Sequence, residues 1–184
     1  MPAPISNYVP QFATGGRRPL FVWASVSAAA LLILSVAFAA PWLAAGGHEF
    51  SARALYAFFG AACHQLPERS FHLLGHPLAV CARCAGLYAG FAAGLLLYPL
   101  ARPLGARHAP ERAWLFAAAV PTALDFSLGL FGVWENTHLS RSLTGALLGA
   151  AAVFFVLPGL VDLSQMGRRR WRFFDGLLSP KWRG

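Results

Sequence analysis

FVWASVSAAALLILSVAFAAPWLAA, residues 21–45, carries no charged side chain across twenty-five consecutive positions. As a helix it would measure about 37 Å, more than the ~30 Å hydrocarbon core of a bilayer. A secretory signal competes with this reading, because Arg17 and Arg18 precede the run and Ala37-Phe38-Ala39 offers a small-x-small cleavage pattern. The run is long for such a signal and continues through Pro41-Trp42-Leu43, so an uncleaved spanning helix is expected.

Three more apolar segments follow, at about residues 84–100, 113–134 and 139–163, bounded by Pro99 and Pro103, by Trp134 and by Leu139. Each is long enough to cross. Residues 52–62 are apolar but too short to span, which fits an interfacial or re-entrant helix. Residues 64–80, punctuated by Pro67, Gly75 and Pro77, read as a loop, with Glu68, Arg69 and Ser70 as a local helix-start signal. The fold class is therefore all-α: a polytopic membrane protein of four transmembrane helices plus one short interfacial or re-entrant helix. Residues 1–19 are expected to be a disordered cytoplasmic N-terminus. Residues 20–164 form the membrane domain, with an outward loop at about 46–83, and 165–184 form a basic cytoplasmic tail.

Composition agrees. Charged residues make up 12% of the chain and hydrophobic ones 57%, with a mean hydropathy of +0.53; a soluble domain carries about 25% charged residues. The net charge of +8 is not a nucleic-acid face, since its arginines and lysines flank apolar segments. Eleven of them (Arg17, Arg18, Arg102, Arg107, Arg112, Arg168, Arg169, Arg170, Arg172, Lys181, Arg183) fall on the side of the termini, against four (Arg53, Arg69, Arg83, Arg141) on the other. The positive-inside rule then puts both termini in the cytoplasm and the chain in the cytoplasmic (inner) membrane. Cys63, Cys81, Cys84 and five of the six histidines consequently face outward, which in a bacterial cell is the oxidising side.

That outward segment holds every cysteine. Cys81-Ala82-Arg83-Cys84 is a C-x-x-C pair able to give a metal two ligands from one turn, and Cys63 supplies a third thiolate. His64, His72 or His76 would close a four-ligand shell; adjacent residues rarely face one ion, so His64 and His76 are alternatives. Zinc, iron or copper are the cofactors that such donors suit. Redox chemistry competes: Cys84 begins a predicted helix beside Arg83, where dipole and charge favour a thiolate. Cys81 and Cys84 would then serve a membrane thiol-disulfide or quinone-linked oxidoreductase, with Cys63 as the third thiol. No Gly-rich phosphate loop, Ser-His-Asp order or paired catalytic carboxylate is discernible, which disfavours a hydrolase.

Two helix faces complete the picture. Gly86, Gly90 and Gly94, and likewise Gly145 and Gly149, recur every fourth residue. Such small-xxx-small faces bring membrane helices close together, within a chain or between copies in a homo-oligomer. Thr122, Asp125, Gly129, Gly132 and Asn136 make a polar-and-small stripe on the third span that must face protein. Asp125, about 18 Å along that helix, needs a partner, and Arg83 and Arg141 are the candidates. With Asn136 they outline a polar pocket for a cofactor, substrate or anionic lipid beneath the thiols, as in a small transporter.

Cys63-His64-Gln65, Pro67-Glu68-Arg69-Ser70-Phe71 and Cys81-Ala82-Arg83-Cys84-Ala85-Gly86-Leu87-Tyr88 together resemble the signature of a family of small membrane proteins of bacteria and archaea, domain of unknown function family 2085. The likeness extends over about residues 52–150, more loosely at Pro121, Asp125, Asn136 and Arg141-Ser142-Leu143-Thr144-Gly145. Ala85 stands where a threonine is more usual. The resemblance implies a membrane protein with a shared site at these residues and supplies no activity.

Overall fold

A computed structural model describes residues 17–178 of the chain, the last fourteen of these as backbone alone. The expected disorder of the N-terminus falls almost wholly outside these residues, as does the very end of the tail.

Five α-helices carry the fold: α1 (Arg18–Ala45), α2 (Glu49–Gly60), α3 (Ala82–Ala101), α4 (Arg112–Leu130) and α5 (His138–Leu178). α1, α3, α4 and the segment His138–Ser164 of α5 are long and apolar enough to cross a membrane. α2 has 12 residues, about 18 Å of helix, and cannot. It folds back against α1, with Phe59 packing in one core with Ala37 and Ala40. The connection to α3 is not a featureless loop. It holds a single 3-10 turn (Pro67–Arg69) and a minimal antiparallel ladder, β1 (His72–Leu73) with β2 (His76–Pro77), pairing His72 with Pro77 and Leu73 with His76. Leu74 and Gly75, at φ 53 and 80, form its turn; positive φ at both central positions suits a tight hairpin.

α3 and α5 are the central pair. A Cβ placed on Gly86 would fall within the backbone of Ser142, and one on Gly90 within that of Ala146; Gly145 and Gly149 lie equally close to Arg83 and Leu87. Gly94 is slightly looser, its nearest neighbour being a Val153 methyl at 3.0 Å. Close backbone approach of this kind drives membrane helices together where no hydrophobic force separates lipid from leucine. Further along, Leu95, Tyr98, Val153, Leu157 and Val161 form an apolar core with α1 residues Val22 and Val26 against it. Pro99 within α3 cannot donate to the carbonyl of Leu95, and in hydrocarbon that acceptor must be satisfied. The Trp23 indole N–H donates to it at 2.7 Å, which ties α1 to α3.

α4 is the peripheral helix. None of its residues is buried, and Trp114, Phe116, Leu124 and Phe126 are exposed; in a bilayer that surface meets acyl chains. The third span ends at Leu130, not Trp134, because the chain turns at Gly132 with φ 68. The polar stripe is therefore helical only through Gly129, and Asn136 reaches it by folding back. α5 runs past the fourth apolar segment into the basic tail as continuous helix to Leu178.

Candidate functional site

α2 breaks after Gly60, and Cys63 follows on a short turn, its N–H bonded to the carbonyl of Phe59 at 2.9 Å. The cysteine is 6% exposed and packs in one apolar core with Ala37, Phe59, Leu78 and Val80. Gln65 explains how the turn holds. It adopts φ 51, a conformation costly for a residue with a Cβ. Its amide donates to the carbonyls of Tyr56 at 2.7 Å and Ala79 at 2.6 Å. One side chain thus staples the end of α2 to the segment entering α3. The Tyr56 hydroxyl adds a second staple, donating to the Pro77 carbonyl at 2.6 Å, and burial raises its pKa. Ser70, fully buried, closes the 3-10 turn by donating to Leu66 at 2.9 Å.

These staples bring residues 63 and 81 together. The Cys81 N–H donates to the Cys63 sulfur at 3.2 Å. Cys81 is the N-cap of α3 and Cys84 lies in its first turn, so both thiols sit on the same end of the helix as Cys63. The ligand atoms of Cys63, Cys81 and Cys84 lie within 4.8 Å of one another, and all three cysteines are free thiols. In a tetrahedral zinc–thiolate site, with bonds of about 2.3 Å, sulfurs stand about 3.8 Å apart. Small side-chain adjustments bridge the difference, and the donor set fits a soft or borderline metal. Among the described residues no histidine joins the three sulfurs at this distance. His64 is exposed, and His72 instead contacts the Ser70 carbonyl at 3.1 Å.

The thiols are not equivalent. Cys81 is drawn down to about 5, first by the hydrogen bond with the Cys84 thiol, then by the amides of Cys84 and Arg83 and by Cys63, against the opposing effect of burial. The favoured thiolate is thus Cys81, one turn earlier than the sequence places it: the Cys84 thiol is its main partner, and because α3 begins at Ala82 the first-turn amides add to it at the N-cap position.

Arg83, between the two C-x-x-C thiols, turns away from them. Its guanidinium pairs with Asp125 of α4 and stacks over the Phe126 ring at 5.6 Å. Asp125 also accepts from the Ser140 hydroxyl at 2.9 Å, while the Asn136 amide donates to its backbone carbonyl. The Thr122 hydroxyl, one turn earlier on α4, donates to the Thr144 carbonyl at 2.9 Å. Of the expected polar pocket, Arg83, Asp125 and Asn136 meet; Arg141, the other candidate partner of Asp125, does not enter that ion pair. Ser140 was not singled out from the sequence, although it lies two residues beyond the start of α5, where a hydroxyl readily reaches a neighbouring helix.

Comparisons with known proteins place these residues in a family. The description "Predicted membrane protein (DUF2085)" matches residues 63–155, from the first thiol into α5. An uncharacterised protein of Methanocaldococcus jannaschii is 38% identical over 126 residues, covering 66% of this chain and 81% of that protein. An uncharacterised protein of Methanothermobacter thermautotrophicus is 36% identical over 101 residues, 54% of this chain and 89% of the relative. No solved structure matches. With its four spans and its match running across the thiol cluster and the α3–α5 pair, the chain belongs to the DUF2085 family of predicted membrane proteins.

Proposed function

We propose that the protein binds one metal ion at its outer face through Cys63, Cys81 and Cys84. The observation that carries this reading is the convergence of the three sulfurs within 4.8 Å, with Cys63 brought to the Cys81–Cys84 pair from 18 residues earlier in the chain, on a scaffold stapled by Gln65. A structural disulfide would use two of them and leave the third unused in the same cluster. Zinc, iron and copper(I) suit a thiolate set. His64, neighbouring Cys63, is the proposed fourth ligand, reached by turning its exposed side chain inward; water or a substrate is the alternative there. A metal so held supplies Lewis-acid polarisation of whatever takes that position. Of the chain's own groups, Gln65 fixes Cys63, and the Cys84 thiol, with the amides of Cys84 and Arg83 adding to it, favours Cys81 as a thiolate, the form that metal binding requires.

The cytoplasmic membrane, with both termini inside, is the proposed location, resting on the distribution of arginines and lysines. The Arg83–Asp125 pair is proposed as a clamp that seats α4, since Asp125 already engages the charge that an anionic ligand would need.

Cobalt(II) substitution tests the site. The reconstituted protein should show sulfur-to-cobalt charge-transfer absorption and the d–d bands of a tetrahedral centre, both lost in each of Cys63→Ser, Cys81→Ser and Cys84→Ser. Spectra of octahedral aqueous cobalt in the wild type would contradict the reading. A second reading, thiol–disulfide exchange through Cys81 and Cys84, is favoured by the low pKa of Cys81. It requires that the pair interconvert with mild oxidant and reductant while the fold persists. Thiols that stay reduced under both conditions rule it out.

A further inference from the structure

A cavity of about 610 Å³ lies between α1, the end of α2 and α3. Val26, Ile33, Phe59, Leu87, Tyr88 and Phe91 shape it, with alanines completing the wall. Its size is that of a small-molecule site, for which the range is about 300–1,000 Å³.

Its chemistry restricts the occupant. Among the described residues no charged side chain lines it, and the Tyr88 phenol is the sole side-chain hydrogen-bonding group on its wall. Water needs two to four polar partners to stay in such a space, so water does not fill it. α1 and α3 are long and apolar enough to be membrane spans, and the wall residues Ala29 and Phe58 are exposed, so the cavity opens at the surface of the bundle, where hydrocarbon reaches it sideways from the bilayer. An anionic or zwitterionic headgroup would need a cation, which the wall does not offer. A neutral oxygen, by contrast, suits the phenol. That end of the cavity adjoins the thiols: Phe59 and Tyr88 pack in the same core as Cys63 and Cys84.

We propose that this cavity binds an uncharged single-chain amphiphile, its hydrocarbon tail between α1 and α3 and an oxygen-bearing head at Tyr88, beside the cysteine cluster. The inference goes beyond the metal reading and stands whether or not the thiols hold an ion.

The test uses the full chain in phosphatidylcholine nanodiscs with a diazirine-bearing analogue of hexadecanol, irradiation, and peptide mapping by mass spectrometry. Saturable labelling on the α1 and α3 residues of the wall is expected, displaced by hexadecanol at far lower concentration than by palmitate. Tyr88→Phe, removing one hydrogen bond worth about 1 kcal/mol, should weaken binding about fivefold. Ala29→Trp, on an exposed position of α1 that lines the cavity, should abolish it, as should Ala62→Trp if the first variant does not fold. Leu32→Trp, on the lipid-facing side of α1 at 64% exposure, should leave labelling intact. Labelling that does not saturate, that survives both filling variants, or that palmitate and hexadecanol displace equally would overturn the proposal. Metal content measured on the same samples should be unchanged in Ala29→Trp, so the failure of either proposal is visible separately.

Discussion

Replacing Asp125 with asparagine keeps the shape of the side chain and removes its charge. In the native protein the Arg83 guanidinium and the Asp125 carboxylate are paired at 23% and 9% side-chain exposure, within the apolar surround of three spans. Removing one member of a buried pair costs about 3–5 kcal/mol, because the survivor stays desolvated and unpaired. A lone arginine at a span centre costs about 2.5–3.5 kcal/mol on insertion scales. Arg83 sits in the first turn of α3, not at its centre, and its long stem lets the charge move toward water. The asparagine oxygen also still accepts one bond. We therefore expect Asp125→Asn to destabilise the protein by about 2–3 kcal/mol, and Arg83→Met by a similar amount. The double variant Arg83→Met/Asp125→Asn, with no charge left to bury, should recover most of the loss. The assay is reversible unfolding in mixed micelles titrated with sodium dodecyl sulfate, followed by far-ultraviolet circular dichroism. With each single variant costing about 2–3 kcal/mol and the double under about 1 kcal/mol, a double-mutant coupling of about 3–5 kcal/mol is the expected result. Single variants each costing less than about 0.5 kcal/mol, with additive effects in the double, would refute the clamp.

The packing of α3 on α5 makes Gly86→Ala and Gly145→Ala overpacking changes, each expected to cost about 1–3 kcal/mol in the same unfolding assay. Gly159→Ala, where a Cβ meets nothing within 4 Å, should be harmless, and equal losses at all three positions would contradict the geometry. Gln65→Ala removes both bonds of the staple that holds Cys63. Metal affinity measured by competition with a chromophoric chelator should fall about 10–100-fold, as when the support of a ligand is lost; unchanged affinity would deny the staple its role. In metal-free protein, Cys81 should alkylate at a rate that is flat from pH 8 to about pH 6 and falls to half near its pKa of about 5. The sign follows from the thiolate being the nucleophile. A midpoint near that of an ordinary thiol, about 8.5, would contradict the assignment.

Much of the architecture was legible because the bilayer constrains it so tightly. Uninterrupted apolar runs set the four spans to within a few residues, and α2 was too short to be a fifth. The third span was read as longer than it is, since Val133 and Trp134 continue the hydrophobicity after Gly132 has already turned the chain. Hydropathy does not register a positive φ. The need of Asp125 for a partner was legible from the cost of a bare charge in hydrocarbon, but the choice between Arg83 and Arg141 depended on which side chain the α3–α5 crossing turns toward α4. The Cys-x-x-Cys spacing announced two thiols together. That Cys63 joins them depends on Gln65 and Tyr56, whose bonds go to backbone carbonyls on residues 77 and 79, and such contacts leave no periodic trace. The bond from Trp23 to the Leu95 carbonyl is equally silent in the pattern, although Pro99 marks the acceptor that it satisfies.

The most direct test of the thiolate site is elemental analysis of protein purified in mild detergent without chelator, then exposed to zinc, iron(II) and copper(I) in turn and desalted. We predict about one ion of one of these metals per chain, falling to background in Cys63→Ser, Cys81→Ser and Cys84→Ser alike. Wild-type protein that retains none of them, or cysteine variants that retain as much as the wild type, would contradict the account.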